Sequence, residues 1–144
     1  MRRLLLLCLA AAVVGCSLPA LSFESYRGKA IEAAEEMISQ AGTAILAADL
    51  AARDRLFGPS VSVQLQDAEE AAAATADDFA SLLPPDDRSE GIRRTVLPPL
   101  VDATDLITQM RFAAQRGDLD ELRQLRSSLH DPVDRLEQLV ERSG

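Results

Sequence analysis

Residues 117–129, GDLDELRQLRSSL, decide the fold of this chain because they contain a helix end, a helix start and the beginning of a helical stripe. Gly117 is typical of the glycine that ends a helix in a left-handed conformation. Asp118 and Glu121 have the spacing of a capping box, which predicts a new helix directly after that glycine. Because almost no chain separates the two helices, we predict a tight antiparallel hairpin.

Apolar side chains recur at steps of three and four residues on both sides of this hairpin and through the rest of the body. That spacing places them on one face of an α-helix. From the first predicted helix to the fourth, the stripes are Ile31, Ala34, Ile38, Ala41, Ile45, Ala48, Ala52; Val61, Leu65, Ala68, Ala72, Thr75, Phe79, Leu82; Ile92, Val96, Leu100, Ala103, Ile107, Met110, Ala114; and Leu119, Leu122, Leu125, Leu129, Val133, Leu136, Val140. No segment shows the strict alternation of a strand. We therefore predict an all-α fold, an antiparallel four-helix bundle over residues 23–144.

Glycine, proline and polar residues predict where the first three helices begin and end. Gly58-Pro59 is predicted to end the first helix, and Ser60 to be the N-cap of the second. Pro84-Pro85 ends the second helix, since proline cannot continue the hydrogen-bond ladder. The polar residues 86–91 are predicted to form the longest loop. Alanine-rich stripes on the first two helices predict that these two helices pack closely.

Prolines also occur within the stripes of the third and fourth helices. A proline inside a helix removes a hydrogen bond and clashes with the preceding turn. At Pro98-Pro99, either one helix kinks or a separate short helix precedes a new start. At Pro132, either the fourth helix kinks or it starts again with Asp131 as its cap. We predict kinks, because the apolar period continues unbroken from Ile92.

The amino terminus has the pattern of an export signal. Two arginines precede an apolar run at residues 4–14, which is shorter than the roughly 20 residues of a membrane span. The run ends in Val13-Val14-Gly15-Cys16, which resembles the lipobox of bacterial lipoproteins. Val13 replaces the commoner leucine and Val14 is slightly large, whereas Gly15 and Cys16 match in full. The resemblance covers the first 17 residues, and the remaining body resembles no family that we recognise.

The lipobox resemblance implies a processing route and a location. Residues 1–15 are then a signal peptide, and Cys16 receives a diacylglyceryl group and carries further fatty acyl chains, such as palmitate. Two or more such chains anchor a protein stably, at about 0.8 kcal/mol per buried CH₂. Residues 16–22 form the lipidated cysteine and a short tether. The protein is expected to be exported and anchored to the cell membrane, or to the outer membrane facing the periplasm. Ser17, directly after the cysteine, resembles the residue type found there in outer-membrane lipoproteins.

Composition excludes several classes of partner. Without Arg2 and Arg3, the body carries 13 basic and 23 acidic side chains, a net charge of −10. Such a body is repelled by nucleic acid phosphates and anionic headgroups, so no nucleic acid partner is predicted. The chain contains no Trp and one Tyr, so aromatic stacking platforms are poorly supplied.

The sequence contains no catalytic constellation. His130 is the single histidine, whereas bundle metal sites of the di-iron type need Glu-x-x-His pairs on two helices. The acidic clusters match the solvated faces of their helices and lack the Asp-x-Asp-x-Asp-Gly pattern of a calcium loop. We predict no metal site, no cofactor and no enzymatic activity.

One basic cluster stands out on this acidic body: Arg88, Arg93 and Arg94. These arginines are candidates for binding a partner's carboxylate or a lipid phosphate in a bidentate manner. The alternative is local pairing with Asp86, Asp87 or Glu90.

Anchor, bundle and missing catalytic groups together predict a non-enzymatic lipoprotein that binds another envelope protein. The alternative is a bundle that holds a small ligand between helices opened by the proline kinks.

Overall fold

The computed structural model describes residues 22–53 and 58–143. They form four helices: α1 (Phe23–Ala52), α2 (Gly58–Ser81), α3 (Asp87–Arg116) and α4 (Leu119–Glu141). Within these ranges there is no strand, and no helix is both long and apolar enough to cross a membrane. The lipobox and Cys16 lie outside the described residues, so the processing and lipidation of the amino terminus stay predictions.

Contacts at the helix ends show that neighbouring helices run in opposite directions. Near the start of α1, the ring of Tyr26 packs on Phe79 near the end of α2, with centroids 5.6 Å apart. Arg27 donates to the carbonyl of Ser143, just after α4, over 2.6 Å. Arg93, near the start of α3, donates to the carbonyl of Leu82, just after α2. The prediction of an antiparallel four-helix bundle is therefore confirmed.

The bundle has two ends, which we name by where the chain enters. The tether end contains Ser22, the starts of α1 and α3, and the ends of α2 and α4. The far end contains the ends of α1 and α3 and the starts of α2 and α4. At 1.5 Å per residue, the 30 residues of α1 separate the two ends by about 45 Å.

The cross-section of the bundle has one short diagonal. Helix α1 packs against α2, α3 and α4, whereas α2 and α4 are not in contact in the described part of the chain. The buried face of α1 consists of Tyr26, Met37 and eight alanines: Ala30, Ala33, Ala34, Ala41, Ala44, Ala47, Ala48 and Ala51. Alanine's single methyl group lets a facing backbone come close, so α1 reaches across to α3 as well as packing on α2.

The predicted start of α2, at Val61 after an N-cap at Ser60, is wrong by three residues. Helix α1 ends at Ala52, and Gly58-Pro59 lies in the first turn of α2 instead of ending α1. Ser60 therefore lies inside the helix and is not its N-cap. Proline is tolerated in a first turn because the backbone N–H groups there have no partner within the helix.

The predicted loop at residues 86–91 is also wrong. Helix α3 begins at Asp87, and Asp86 is its N-cap, accepting hydrogen bonds from the Ser89 backbone N–H over 2.8 Å and from its hydroxyl over 2.7 Å. The Ser89 hydroxyl bond, followed by the backbone bond, lowers the pKa of Asp86. The polar run is a capped first turn, and the connection between α2 and α3 occupies residues 82–86.

Helices α3 and α4 each continue through their prolines. The two fresh starts are therefore excluded, and the carboxylate of Asp131 pairs with Arg135 instead of capping a helix. Pro98 and Pro99 leave the carbonyls of Arg94 and Thr95 without helical donors. Both of these residues are exposed, so water can reach that side of the helix. The bend expected at the prolines stays a prediction.

The hairpin between α3 and α4 forms as the sequence predicts. Gly117 has a φ of 71° and ends α3. The N–H of Asp118 donates to Ala113 over 3.0 Å and that of Gly117 to Ala114 over 3.1 Å, which is a Schellman motif. The Asp118 side chain then accepts from the N–H of Glu121 over 3.0 Å. The Glu121 carboxylate contacts Arg116 at 2.5 Å, so one half of the capping box is confirmed.

Candidate functional site

The tether end of the bundle carries an apolar groove of about 380 Å³ between α1, α3 and α4. Its apolar lining consists of Phe23, Ala30, Ile31, Ala34, Ile92, Val96, Leu139 and Val140. Gly91 also lines it, and apart from its chain neighbours and the nearby backbone of its own helix no atom lies within 4 Å of the position that a Cβ would take there. The apolar stripes end here in half-buried side chains, because none of the four described helices covers the open side of the groove.

Arg88 stands at this groove. Its guanidinium carbon lies 3.6 Å from the centroid of the Phe23 ring, a cation–π contact that holds an exposed side chain in place. Among the described residues, no carboxylate forms an ion pair with Arg88. Arg27 lies across from it on α1 and also lines the groove. Two guanidinium groups, together with Thr95 and Ser143, therefore accompany a mainly apolar surface.

Arg93 has a different position. It donates from Nη1 to the carbonyl of Leu82 and from Nη2 to that of Ala80, each over 2.8 Å. These carbonyls lie at the end of α2, where no helical donors remain. Arg93 thus links α3 to the end of α2, and within the described residues it forms no ion pair with Asp86, Asp87 or Glu90. Its binding of a partner stays a prediction.

Arg94 makes the predicted local pairing. Its Nε lies 3.9 Å from a carboxylate oxygen of Glu90 and 3.4 Å from that residue's carbonyl oxygen. The structure therefore separates the three arginines of the basic cluster, and of these Arg88 alone lines the groove. The spacing of the three arginines along the chain could not predict their different contacts, because these depend on which neighbouring helix each side chain faces.

A second surface feature lies at the far end. Each helix presents one large exposed apolar side chain there: Leu46, Val63, Phe112 and Leu119, which we call the far-end set. Each lies within six residues of a helix terminus, or about 9 Å. Leu46 is 59% exposed and Val63 57%. Single exposed apolar residues are ordinary, but one from every helix at the same end makes that end a candidate for an interaction surface.

Besides the Arg116–Glu121 pair at the hairpin, two ion pairs join helices in the far half of the bundle. Glu69 on α2 accepts from Arg111 and, over 3.0 Å, from the Thr108 hydroxyl, both on α3. The hydrogen bond from Arg111 lowers the pKa of Glu69, against the opposing effect of burial. Asp49 on α1 pairs with Arg126 on α4. Sequence reasoning missed both pairs, since their partners are 42 and 77 residues apart.

The remaining candidates for chemistry lie on the surface. His130 is exposed on α4. Within the described ranges, no group of three or more His, Cys, Asp or Glu side chains is close enough to hold a metal ion. The cluster at residues 118–121 is engaged in capping and in pairing with arginines.

Comparison with protein-family models, curated proteins and solved structures finds no match to this chain. The groove with its arginines and the far-end set are the two surfaces from which a function can be inferred. They lie at opposite ends of the bundle.

Proposed function

We propose that this protein is an exported lipoprotein, anchored through Cys16 to the cell membrane or to the outer membrane, whose bundle binds another envelope protein without catalysing a reaction. The lipobox resemblance supports the anchor, and the far-end set supports the binding role. The chain enters the bundle at the tether end, so an anchor there leaves the far end about 45 Å away. A partner in the envelope can reach it.

The far-end set carries this proposal because it is the place where exposed apolar surface comes from all four helices. Burying apolar surface contributes roughly 25 cal/mol per Å², and large side chains near the centre of an interface contribute most. Phe112 is 44% exposed, and aromatic residues are enriched among such anchors. The acidic body adds charge that favours a partner with basic residues around the contact.

Site-specific photo-cross-linking in intact cells tests the binding role. A benzoylphenylalanine at Phe112 or at Leu46 is expected to give one adduct of defined mass with another envelope protein. Val101, which is 43% exposed in the middle of α3, is the matched control and should give none. Equal adducts at Val101, or no adduct at the far end, would refute the proposal. An adduct of twice the chain's own mass would show that the partner is a second copy of this chain and not another envelope protein.

The anchor has a test of its own. Metabolic labelling with a palmitate analogue, followed by intact-mass analysis, should show cleavage before Cys16 and attached acyl chains. Cys16→Ser should abolish labelling, whereas Cys8→Ser should leave it unchanged because Cys8 lies within the predicted signal. A labelled Cys16→Ser variant, or a mature protein cut elsewhere and unmodified, would contradict the anchor.

The groove favours the second candidate function, binding of a small ligand. Its volume lies within the roughly 300–1,000 Å³ typical of ligand sites. The sequence placed such a site at the proline kinks, but none of Pro98, Pro99 and Pro132 lines the groove. The groove instead adjoins the tether end, and this position suggests what class of molecule it takes.

A further inference from the structure

We propose that the groove at the tether end binds one long-chain fatty acid, with its acyl chain along the apolar lining and its carboxylate paired with Arg88. This site is distinct from the far-end set, and its test does not depend on any protein partner, but its position beside a bilayer rests on the anchor proposed at Cys16. The inference joins three observations: the lining of the groove, the charge beside it, and its position relative to the tether.

The lining accepts a hydrocarbon chain. Ile31, Ile92 and Val140 are half-buried and come from three different helices, so a chain lying between them loses water on several sides. Each methylene that leaves water for such a surface contributes favourably to binding. Gly91 leaves the α3 wall without a side chain, which widens the groove at that point.

The charge selects an anion at one end of that chain. Arg88 lies in no ion-pair contact with a carboxylate of the described residues, and its contact with the Phe23 ring holds it beside the apolar lining. The two hydrogen bonds from Ser89 lower the pKa of the exposed Asp86, and the charge of Arg88, beyond ion-pair distance, adds to that effect. A guanidinium group presents paired N–H donors that match a carboxylate. Arg27 adds a second positive charge, although it already donates to the carbonyl of Ser143 and lies 3.8 Å from Glu24.

The position of the groove indicates the source of its ligand. Phe23 lines it and directly follows Ser22, the N-cap at which the described chain begins. The six residues 16–21 span at most about 21 Å when fully extended. An anchor on Cys16 therefore keeps the groove close to a bilayer, where free fatty acids partition. The acyl chains of Cys16 itself carry no negative charge for Arg88 to pair with.

Photo-cross-linking in vesicles tests the inference on the full lipidated chain. The protein is reconstituted in phosphatidylcholine vesicles with a palmitate analogue that carries a diazirine in its acyl chain. We expect adducts on peptides that contain Ile92 and Leu139. Excess palmitate should remove them, and the uncharged palmityl alcohol should compete about tenfold less well, the factor that one lost ionic contact of ordinary strength produces.

Two pairs of variants separate the acyl contact from the ionic contact. Arg88→Gln should weaken palmitate competition about tenfold, whereas Arg94→Gln, on the same helix outside the groove, should not change it. Gly91→Leu should fill the groove and abolish the adducts. Gly28→Leu is its control, since Gly28 is an exposed helical glycine that does not line the groove. Circular dichroism checks that each variant is folded. If Gly91→Leu unfolds, Arg88→Gln still tests the proposal, because Arg88 is exposed and its replacement leaves the core unchanged.

Several results would overturn the inference. Adducts spread evenly over the tether end, or unaffected by Gly91→Leu in a folded protein, would show simple contact with the bilayer. Displacement by phosphatidylglycerol vesicles as effective as by palmitate would assign the groove to a phospholipid. Adducts that form only in Cys16→Ser protein would show that the protein's own acyl chain occupies the groove.

Discussion

One turn of α1 should respond to three substitutions in three different ways. Ala44 is fully buried on the face from which α1 contacts all three other helices. Ala44→Leu adds three carbon atoms at this place, so we expect a loss of about 1–3 kcal/mol in the free energy of unfolding. Gly42 is exposed, with no atom within 4 Å of the position that a Cβ would take, so Gly42→Ala should add about 0.5–1 kcal/mol. Leu46→Ala should stay within about 0.5 kcal/mol, because Leu46 is mostly exposed.

Urea and thermal unfolding of the full chain, followed by circular dichroism at 222 nm, measures this series. For a body of this size, 1 kcal/mol corresponds to a shift in Tm of about 4 °C. Leu46→Ala is the matched control, since it changes size on the same helix away from the core. A neutral or stabilising Ala44→Leu would refute the close approach of α1 to α3. A destabilising Gly42→Ala would show that this face of α1 is covered.

Three further substitutions test single contacts by urea unfolding. Glu69→Gln should cost about 1 kcal/mol at pH 7. Because Arg111 lowers the pKa of Glu69 below its ordinary 4.5, the carboxylate stabilises the fold above that pH, and this difference should shrink as the pH falls through the folded pKa. Gly117→Ala should cost about 1–2 kcal/mol, since alanine strains at a φ of 71°. Arg93→Gln should cost about 1–3 kcal/mol by releasing the α2 carbonyls, whereas Arg94→Gln should cost less than about 0.5 kcal/mol.

Each of these has a control and a contradicting result. Glu70→Gln, at an exposed neighbouring carboxylate, should not reproduce the acid dependence of Glu69→Gln. A constant difference from pH 7 to pH 3 would contradict the pairing with Arg111. Gly28→Ala should stabilise, because Gly28 lies in a helix with open space around it. Equal losses for the two arginine variants would contradict the tie between α3 and α2.

The hairpin and the helical stripes were predictable because their causes are local. Gly117 ends a helix, and the three-residue spacing of Asp118 and Glu121 starts the next one. Both signals act within a few residues of the chain. The wrong boundaries arose where one residue type serves two purposes. Asp86 is polar enough for a loop, yet it caps α3 through Ser89. Gly58-Pro59 can follow a helix or open one, and here it opens α2.

The helix type, the antiparallel hairpin and the alanine face of α1 follow from local sequence, since they depend on residues within a few turns of one another. Only the packing of the four helices sets which of the three arginines lines the groove, where the groove opens and which residues pair across helices. Arg93 and Arg94 are adjacent in the chain but about 100° apart around the helix axis. Arg93 therefore contacts the end of α2, whereas Arg94 is exposed to water, and this difference arises only when the helices pack.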